Sequence, residues 1–303
     1  MSVPRLHDGE IASDAALVHR LLAAQFPHWA ELPVARVPSG GTDNAMYRLG
    51  ADMSVRLPRI AWAVAAVEKE WRWLPRLAQH LPLPVPLPLA RGVPGEGYPW
   101  SWSICRWLEG ENPLPDRLPD PNRVATDLAQ FLLALQRIDP AEGPPPGAHN
   151  FGRGMALAAR DRITRKAIAQ SEGLLDIAAA TAAWEKDLRA APPSAAPVWI
   201  HGDLNAGNLL LRGGRLGAVL DFEGLAVGDP AVDLILAWSL FSGEAREIFR
   251  RAMGVDDATW ARGRGWALSV ALMALPYYRT SNPPLAKYAA RTIAAVLAEH
   301  GLG

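Results

Sequence analysis

A single cysteine, Cys105, stands in 303 residues, so no internal disulfide framework can form and a reducing compartment is the expectation. Net charge is missing too. The 31 basic and 31 acidic residues cancel, which removes the electrostatic footprint of a nucleic-acid binder or a binder of anionic membrane. Long apolar runs are absent: Leu81-Pro-Leu-Pro-Val-Pro-Leu-Pro-Leu-Ala90 is broken by prolines, and Trp266 to Tyr278 is too short to span a bilayer. The first ten residues carry charges where a signal peptide needs an apolar core. These absences predict a cytoplasmic protein with no nucleic-acid and no membrane partner, a monomer or weak homodimer. Zinc chemistry lacks its cysteine pairs and any His-Glu-x-x-His, and a hydrolase elbow lacks its Gly-x-Ser-x-Gly. Lysine is scarce as well, with Lys69, Lys166, Lys186 and Lys287 the only four among the 31 basic residues.

Half of the residues are apolar, and the length suits one two-lobed unit better than two independent domains. Ser13-Asp14 reads as the cap of a short first helix with Leu17, Leu21, Leu22 and Phe26 on its apolar face. From Val34 to Pro58 short runs broken by turn residues predict three antiparallel strands. A helix is expected from Ala61 to about Leu74, burying Val67, Trp71 and Leu74, with Pro75 kinking or ending it. Another strand, Trp102-Ser-Ile-Cys-Arg-Trp107, completes a small sheet-based lobe over residues 1–107. Leu108 to Pro113 reads as a linker, and residues 108–303 as a larger, mostly helical lobe. Asp120 followed by Pro121 opens its first helix. A strand at Val198-Trp-Ile200 and a hairpin from Leu209 to Leu220 interrupt the helical pattern, and three or more helices follow Pro230. The fold class predicted is α+β.

The most informative stretch is His201-Gly-Asp-Leu-Asn-Ala-Gly-Asn208, followed thirteen positions later by Asp221 at the far end of the hairpin. Phosphoryl transfer from a nucleotide needs one carboxylate to orient the attacking hydroxyl, and an amide with a second carboxylate to hold Mg²⁺ against the phosphates. Asp203 fits the first role, as base or hydroxyl-orienting group; Asn208 and Asp221 fit the second, as metal ligands. His201 reads as structural, its imidazole bonding neighbouring backbone. His149 and His300, outside any motif, read as surface residues.

Ser39-Gly-Gly-Thr-Asp-Asn44 sits between two strands, where glycines let backbone amides approach phosphates, although an ordinary hairpin turn explains the glycines equally well. Gly40, Gly41, Thr42 and Asn44 are the candidates there. Arg56 on the next strand and Glu70 on the following helix suit a phosphate-reaching cation and the carboxylate that orients it. Glu68 and Glu70 face different directions on a helix, and Glu70 is the favoured partner.

On these motifs, together with Leu220-Asp-Phe-Glu223 and Gly228-Asp-Pro-Ala-Val-Asp-Leu234, the chain resembles the aminoglycoside phosphotransferase family of small-molecule kinases over nearly its whole length. The resemblance implies a bilobal, protein-kinase-like fold using ATP or GTP with Mg²⁺. It also implies that the nucleotide base lies between the lobes against the backbone of Cys105, Arg106 and Leu108, and that Asp229 and Asp233 brace the catalytic loop. Two positions depart from better-known relatives. Arg56 stands where many have lysine, and a planar, always-charged fork does not replace a point charge like for like. Glu223 stands where protein kinases have the glycine of Asp-Phe-Gly.

Only seven residues separate Asp221 from Asp229, and no Ala-Pro-Glu follows, which leaves no activation segment for a peptide substrate. A small hydroxylated acceptor is expected, an antibiotic of aminoglycoside or macrolide type, met by Asp203, Glu223 and Tyr278. A metabolic kinase of the same fold and a catalytically silent nucleotide-binding module are the alternatives. A polycationic aminoglycoside calls for acidic surroundings, yet Glu244 to Arg264 holds four acidic against five basic residues. Trp238, Trp260, Trp266, Tyr277 and Tyr278 offer either helix core or the lining of an apolar pocket.

Overall fold

The computed structural model describes residues 9–38 and 43–302. Helix α1 (Ala15–Gln25) is capped by Asp14, whose side chain accepts from the Leu17 amide at 2.8 Å, while Ser13 accepts instead from the Tyr47 hydroxyl. Strands β1 (Val34–Arg36), β2 (Asn44–Leu49), β3 (Met53–Pro58), β4 (Pro88–Gly92) and β5 (Trp102–Arg106) form an antiparallel sheet in the order β1-β2-β3-β5-β4. Strand β2 alternates, burying Ala45, Tyr47 and Leu49. Every residue of β3 is buried, as a central strand covered on both faces must be. In this register Arg56 lies opposite Met46 on one side and Ser103 on the other.

Helix α2 runs from Val64 to Leu77, three residues beyond the expected end, and Pro75 lies inside it. Its buried face is Val67, Trp73, Leu74 and Leu77, together with two charged residues, Lys69 and Glu70; Trp71, expected on that face, is exposed. The apolar half of α2 packs into the larger lobe. Trp73 meets Trp199 edge-on at 5.0 Å, a contact worth about 1 kcal/mol beyond its area. The linker is also less free than expected, since Glu111 pairs with Leu211 through backbone bonds of 3.0 and 2.8 Å.

The larger lobe begins with α3 (Pro121–Gln136), where the Asp120 carboxylate caps the Arg123 amide at 2.9 Å as the sequence predicts. Helices α4 (Asp161–Gln170) and α5 (Ile177–Leu188) follow, then β6 (Val198–Ile200), the hairpin of β7 (Leu209–Arg212) and β8 (Arg215–Val219), and β9 (Ala226–Gly228), which pairs antiparallel with β6. Helices α6 (Leu236–Ser239), α7 (Gly243–Met253), α8 (Asp257–Tyr278) and α9 (Pro283–Glu299) close the lobe. The long helix α8 is its axis, and Trp238, Trp260 and Trp266 are core beside or within it. Helix core is therefore their role. His300 is no surface residue either, because its ring is fully buried and bonded to Asp187 at 3.1 Å. Among the described residues no helix is long and apolar enough to cross a membrane.

Candidate active site

The segment from His201 to Asn208 leaves β6 and is held in shape from below. Both carboxylate oxygens of Asp233 accept from the loop backbone, from His201 N at 2.8 Å and Gly202 N at 2.7 Å. The Asp229 carboxylate is buried in an ion pair with Arg262 at 2.7 Å and accepts from the Ala231 amide. His201 acts through backbone as expected: Nδ1 accepts from the Asp203 amide at 3.2 Å, and Nε2 bonds Leu220 O at 2.9 Å. Gly202 is required here. Its φ is +79°, and a Cβ would lie 2.3 Å from Gly224 O.

Within this frame Asn208 Nδ2 donates to Asp203 O at 2.8 Å, which leaves the amide oxygen of Asn208 without a protein partner among the described residues. The Leu220 amide donates to Asn208 O at 2.8 Å, so the residue before Asp221 is tied to Asn208. Asp221 itself adopts a left-handed backbone, φ +60° and ψ +80°, a conformation uncommon for a non-glycine residue. Its carboxyl is pushed up to about 6, chiefly by burial, with Arg56 opposing and Glu70 and Asp203 reinforcing the rise. Burial also pushes the Glu223 carboxyl up to about 9, aided by Asp221, Asp43 and Asp203.

The sheet lobe reaches this turn through three side chains. Arg56 Nη1 donates to Glu70 Oε2 at 2.6 Å, and Nη2 lies 3.6 Å from Asp221 Oδ1. The other Glu70 oxygen accepts from the Phe222 amide at 3.1 Å. Glu68 points away to Arg91, and Glu70, the favoured one of the two, is the partner of Arg56. Burial opposes the charge of Arg56, yet Glu70 and Asp221 more than compensate and raise its pKa.

Lys69 was not singled out by the sequence reading. Its ammonium donates to Glu223 O, to His149 O at 3.3 Å and to His149 Nδ1 at 3.1 Å, three acceptors for three N–H groups. Burial lowers its pKa to about 8. Arg153 was missed as well. Its Nη1 donates to Asp203 Oδ1 at 2.5 Å and to Gly202 O at 2.7 Å. The signal available for it was the glycine-flanked Phe151-Gly-Arg-Gly154, where tight backbone brings a charge close to a neighbouring loop.

Other expected positions divide. Gly40, Gly41 and Thr42 lie outside the described residues, while Asn44 begins β2. Cys105 is buried on β5 and its thiol is pushed up to about 11 by burial. Arg106 already spends its amide on Leu87 O at 2.9 Å, and Trp107 spends its own on Asp52 O at 2.7 Å; among the described residues Leu108 makes no such backbone bond. Tyr278 packs half-buried against the core of the larger lobe, its ring 4.8 Å from that of Tyr277. Two surface cavities of about 350 and 300 Å³ open elsewhere, one beside Asp116 and Glu244 and one beside Trp73 and Glu142, and neither includes Asp203, Asn208 or Asp221.

The arrangement is thus a carboxylate on a braced loop, an amide and a second carboxylate on a hairpin end, and a buried cation reaching in from a sheet. Over residues 34–266 the sequence matches the APH family, the phosphotransferase enzyme family. The chain belongs to that family. No curated protein matches this phosphotransferase in sequence. Solved structures do match its fold. The GDP complex of wild-type aminoglycoside 2'-phosphotransferase-IIIa superposes with a TM-score of 0.73 at 18% identity, covering 95% of this chain and 100% of the other. The GDP and kanamycin complex of APH(2")-IIIa gives 0.69 at 19% identity, with 93% and 98% covered. The apoenzyme of macrolide 2'-phosphotransferase MphH from Brachybacterium faecium gives 0.61 at 22% identity, with 90% and 96% covered. The expected two-lobed, kinase-like α+β architecture is therefore present, and the enzyme is a phosphotransferase.

Proposed function

We propose that this phosphotransferase moves the γ-phosphate of ATP or GTP to a hydroxyl group of a small molecule, an antibiotic of the aminoglycoside or macrolide kind. The observation that carries the reading is the placement of Asp203 on a loop bonded to Asn208, with Asp221 at the adjoining hairpin end. The acceptor oxygen bonds to the γ-phosphorus as the bond to the bridging oxygen breaks, and the hydroxyl proton passes to the Asp203 carboxylate. Arg56, oriented by Glu70, lies toward the phosphates. Asn44, the glycine turn at Gly40, Gly41 and Thr42, and the backbone near Cys105, Arg106 and Leu108 take the nucleotide; the free amide of Leu108 suits that role better than the spent one of Arg106.

The residues present fit Mg²⁺. Asn208 offers an amide oxygen without a protein partner among the described residues, and Asp221 a carboxylate held by strained backbone. Both donors are oxygens, as a hard cation that keeps water and phosphate oxygens in its shell requires. When bound, the ion supplies charge neutralisation to the transferring phosphoryl group.

Solved neighbours of this fold include complexes with GDP, kanamycin, gentamicin and streptomycin and two macrolide 2'-phosphotransferases, which supports the nucleotide and the acceptor class. Thermal-shift titration with ATP and GTP, each with and without Mg²⁺, followed by a turnover screen of hydroxylated antibiotics and metabolites, tests the reading. Mg²⁺-dependent stabilisation and turnover are expected. Nucleotide binding with no turnover on any acceptor would instead indicate a silent binding module, and turnover on metabolites alone a metabolic kinase.

A further inference from the structure

Phe151 and Gly152 both take left-handed backbone, φ +56° and +67°, and for Phe151, which is no glycine, that conformation costs free energy. The turn is held from both ends. Asn150, fully buried, accepts from Gly147 N at 3.0 Å and donates to Arg153 O at 2.8 Å, and the Asp229 amide donates to Gly154 O at 2.8 Å. Backbone bent and braced in this way carries Arg153 onto the loop of Asp203. There one nitrogen, Nη1, makes two bonds, to Asp203 Oδ1 at 2.5 Å and to Gly202 O at 2.7 Å. The Arg153 side chain is only 18% exposed, so this is not a solvent-screened surface pair.

What Asp203 needs from such a partner follows from its neighbours. Asp221 and Glu223 lie close enough to Asp203 for the charges to interact, and like charges push a carboxylate aside unless something holds it. Among the described residues Arg153 is the one cation paired with Asp203, and Oδ2 has no protein partner. One oxygen is anchored and the other is left for an incoming hydroxyl. The anchor extends further. Asn150 Nδ2 also donates to Gly224 O at 3.2 Å, and His149 accepts from Lys69 through O and Nδ1 while its Nε2 bonds Pro145 O at 2.9 Å. Residues 149–154 thus touch the loop of Asp203, the turn after Asp221 and helix α2 at once.

We propose that Arg153 is a positioning residue for phosphoryl transfer: it fixes Asp203 through Oδ1 and the loop through Gly202 O, so that Oδ2 meets the acceptor hydroxyl, while residues 149–154 keep that geometry in step with the turn carrying Asp221. The inference rests on the reading of Asp203 as the group that meets the acceptor hydroxyl. Arg153 acts through Asp203 and not on the phosphates. Its contribution is orientation, and displacing a hydroxyl-orienting group by about 1 Å costs roughly 10²-fold in rate.

The test is a double-mutant cycle of Arg153→Met and Asp203→Ala, read as single-turnover transfer from ATP and GTP with Mg²⁺ to kanamycin, to erythromycin and to water, the last as phosphate release. Arg153→Met alone should lower the transfer rate roughly 10²-fold with nucleotide affinity within about twofold. In the Asp203→Ala background it should change the rate by less than about threefold, because its effect passes through the missing carboxylate. Arg153→Lys should regain most of the rate, since both bonds come from one nitrogen that an ammonium can replace. A wild-type rate in Arg153→Met would overturn the proposal, as would a roughly tenfold loss of nucleotide affinity in that variant, which would put Arg153 on the phosphates. Amide hydrogen exchange across Gly202, Asp203 and Leu204 needs no turnover: it should quicken in Arg153→Met and stay at the wild-type level in Arg153→Lys, and no change in Arg153→Met would overturn the proposal too. Full transfer by Asp203→Ala would sink the underlying assignment of the base. Slow transfer by Asp203→Ala, with equal losses from Arg153→Met in both backgrounds, would sink the role of Arg153 alone.

Discussion

Glu70 accepts a hydrogen bond from the backbone amide of Phe222 at 3.1 Å, so a helix of the sheet lobe is bonded directly to the turn that carries Asp221. Its other oxygen holds Arg56. One carboxylate therefore fixes both the cation on β3 and the backbone of the turn, and the three cannot be displaced independently.

Glu70→Ala leaves Arg56 buried without its principal partner and frees the Phe222 amide. Breaking a buried pair from one side costs about 3–5 kcal/mol, so urea unfolding should show a loss of that order together with weaker nucleotide binding. Glu70→Gln keeps one acceptor oxygen but turns the other into an N–H donor, so it can retain one of the two bonds and should lose less than Glu70→Ala. Equal losses in the two variants would contradict the account.

Arg56→Lys tests whether the planar fork matters. The guanidinium reaches Glu70 with one nitrogen and approaches Asp221 with another, and a single ammonium cannot span both. Nucleotide KM should rise roughly tenfold, about 1.4 kcal/mol, with the fold retained. An unchanged or lower KM would show that the position tolerates a point charge.

Lys69 predicts a pH signature. Its pKa falls from an ordinary 10.5 to about 8 on burial, so between those values the unfolded chain binds the proton and the folded chain does not. Stability from this group therefore rises with pH across that window, and the cost of burying its charge is fully present below about 8. Lys69→Met should lack this component. Unfolding free energies of both proteins at several pH values between 7.5 and about 10.5 should give a wild-type minus variant difference that increases with pH. A difference that is flat or decreasing would contradict it.

Gly202→Ala should be severe. The φ of +79° disfavours any side chain, and the added Cβ would meet Gly224 O at 2.3 Å, which is backbone and cannot swing aside. A loss of at least about 2 kcal/mol and a fall in turnover are expected in parallel, read by Tm and steady-state rate.

How much of this was legible in the sequence depends on how local each feature is. The strands around Tyr47 and Val55 follow from short runs broken by turn residues, the Asp120 cap from its Pro121 neighbour, and the exclusion of one of Glu68 and Glu70 from helical spacing. These are relations within a few residues. The roles of Lys69 and Arg153 depend on chain segments tens of residues away, and only the glycines flanking Arg153 give a local sign of its part. His300 was misread for the same reason: its partner, Asp187, lies on α5, far back in the chain. Trp71 and Pro75 show the other failing. The apolar periodicity placed α2 well but rotated its buried face, because Lys69 and Glu70 are buried by specific partners and not by apolarity.

The central claim is that Asp203 meets the acceptor hydroxyl during phosphoryl transfer. Its most direct measurement is single-turnover transfer by Asp203→Ala with nucleotide, Mg²⁺ and an accepted substrate, alongside nucleotide affinity of the same protein. The account predicts that the rate of transfer falls by about 10²–10⁴ while nucleotide affinity stays within about twofold. Transfer at the wild-type rate, with affinity unchanged, would contradict it.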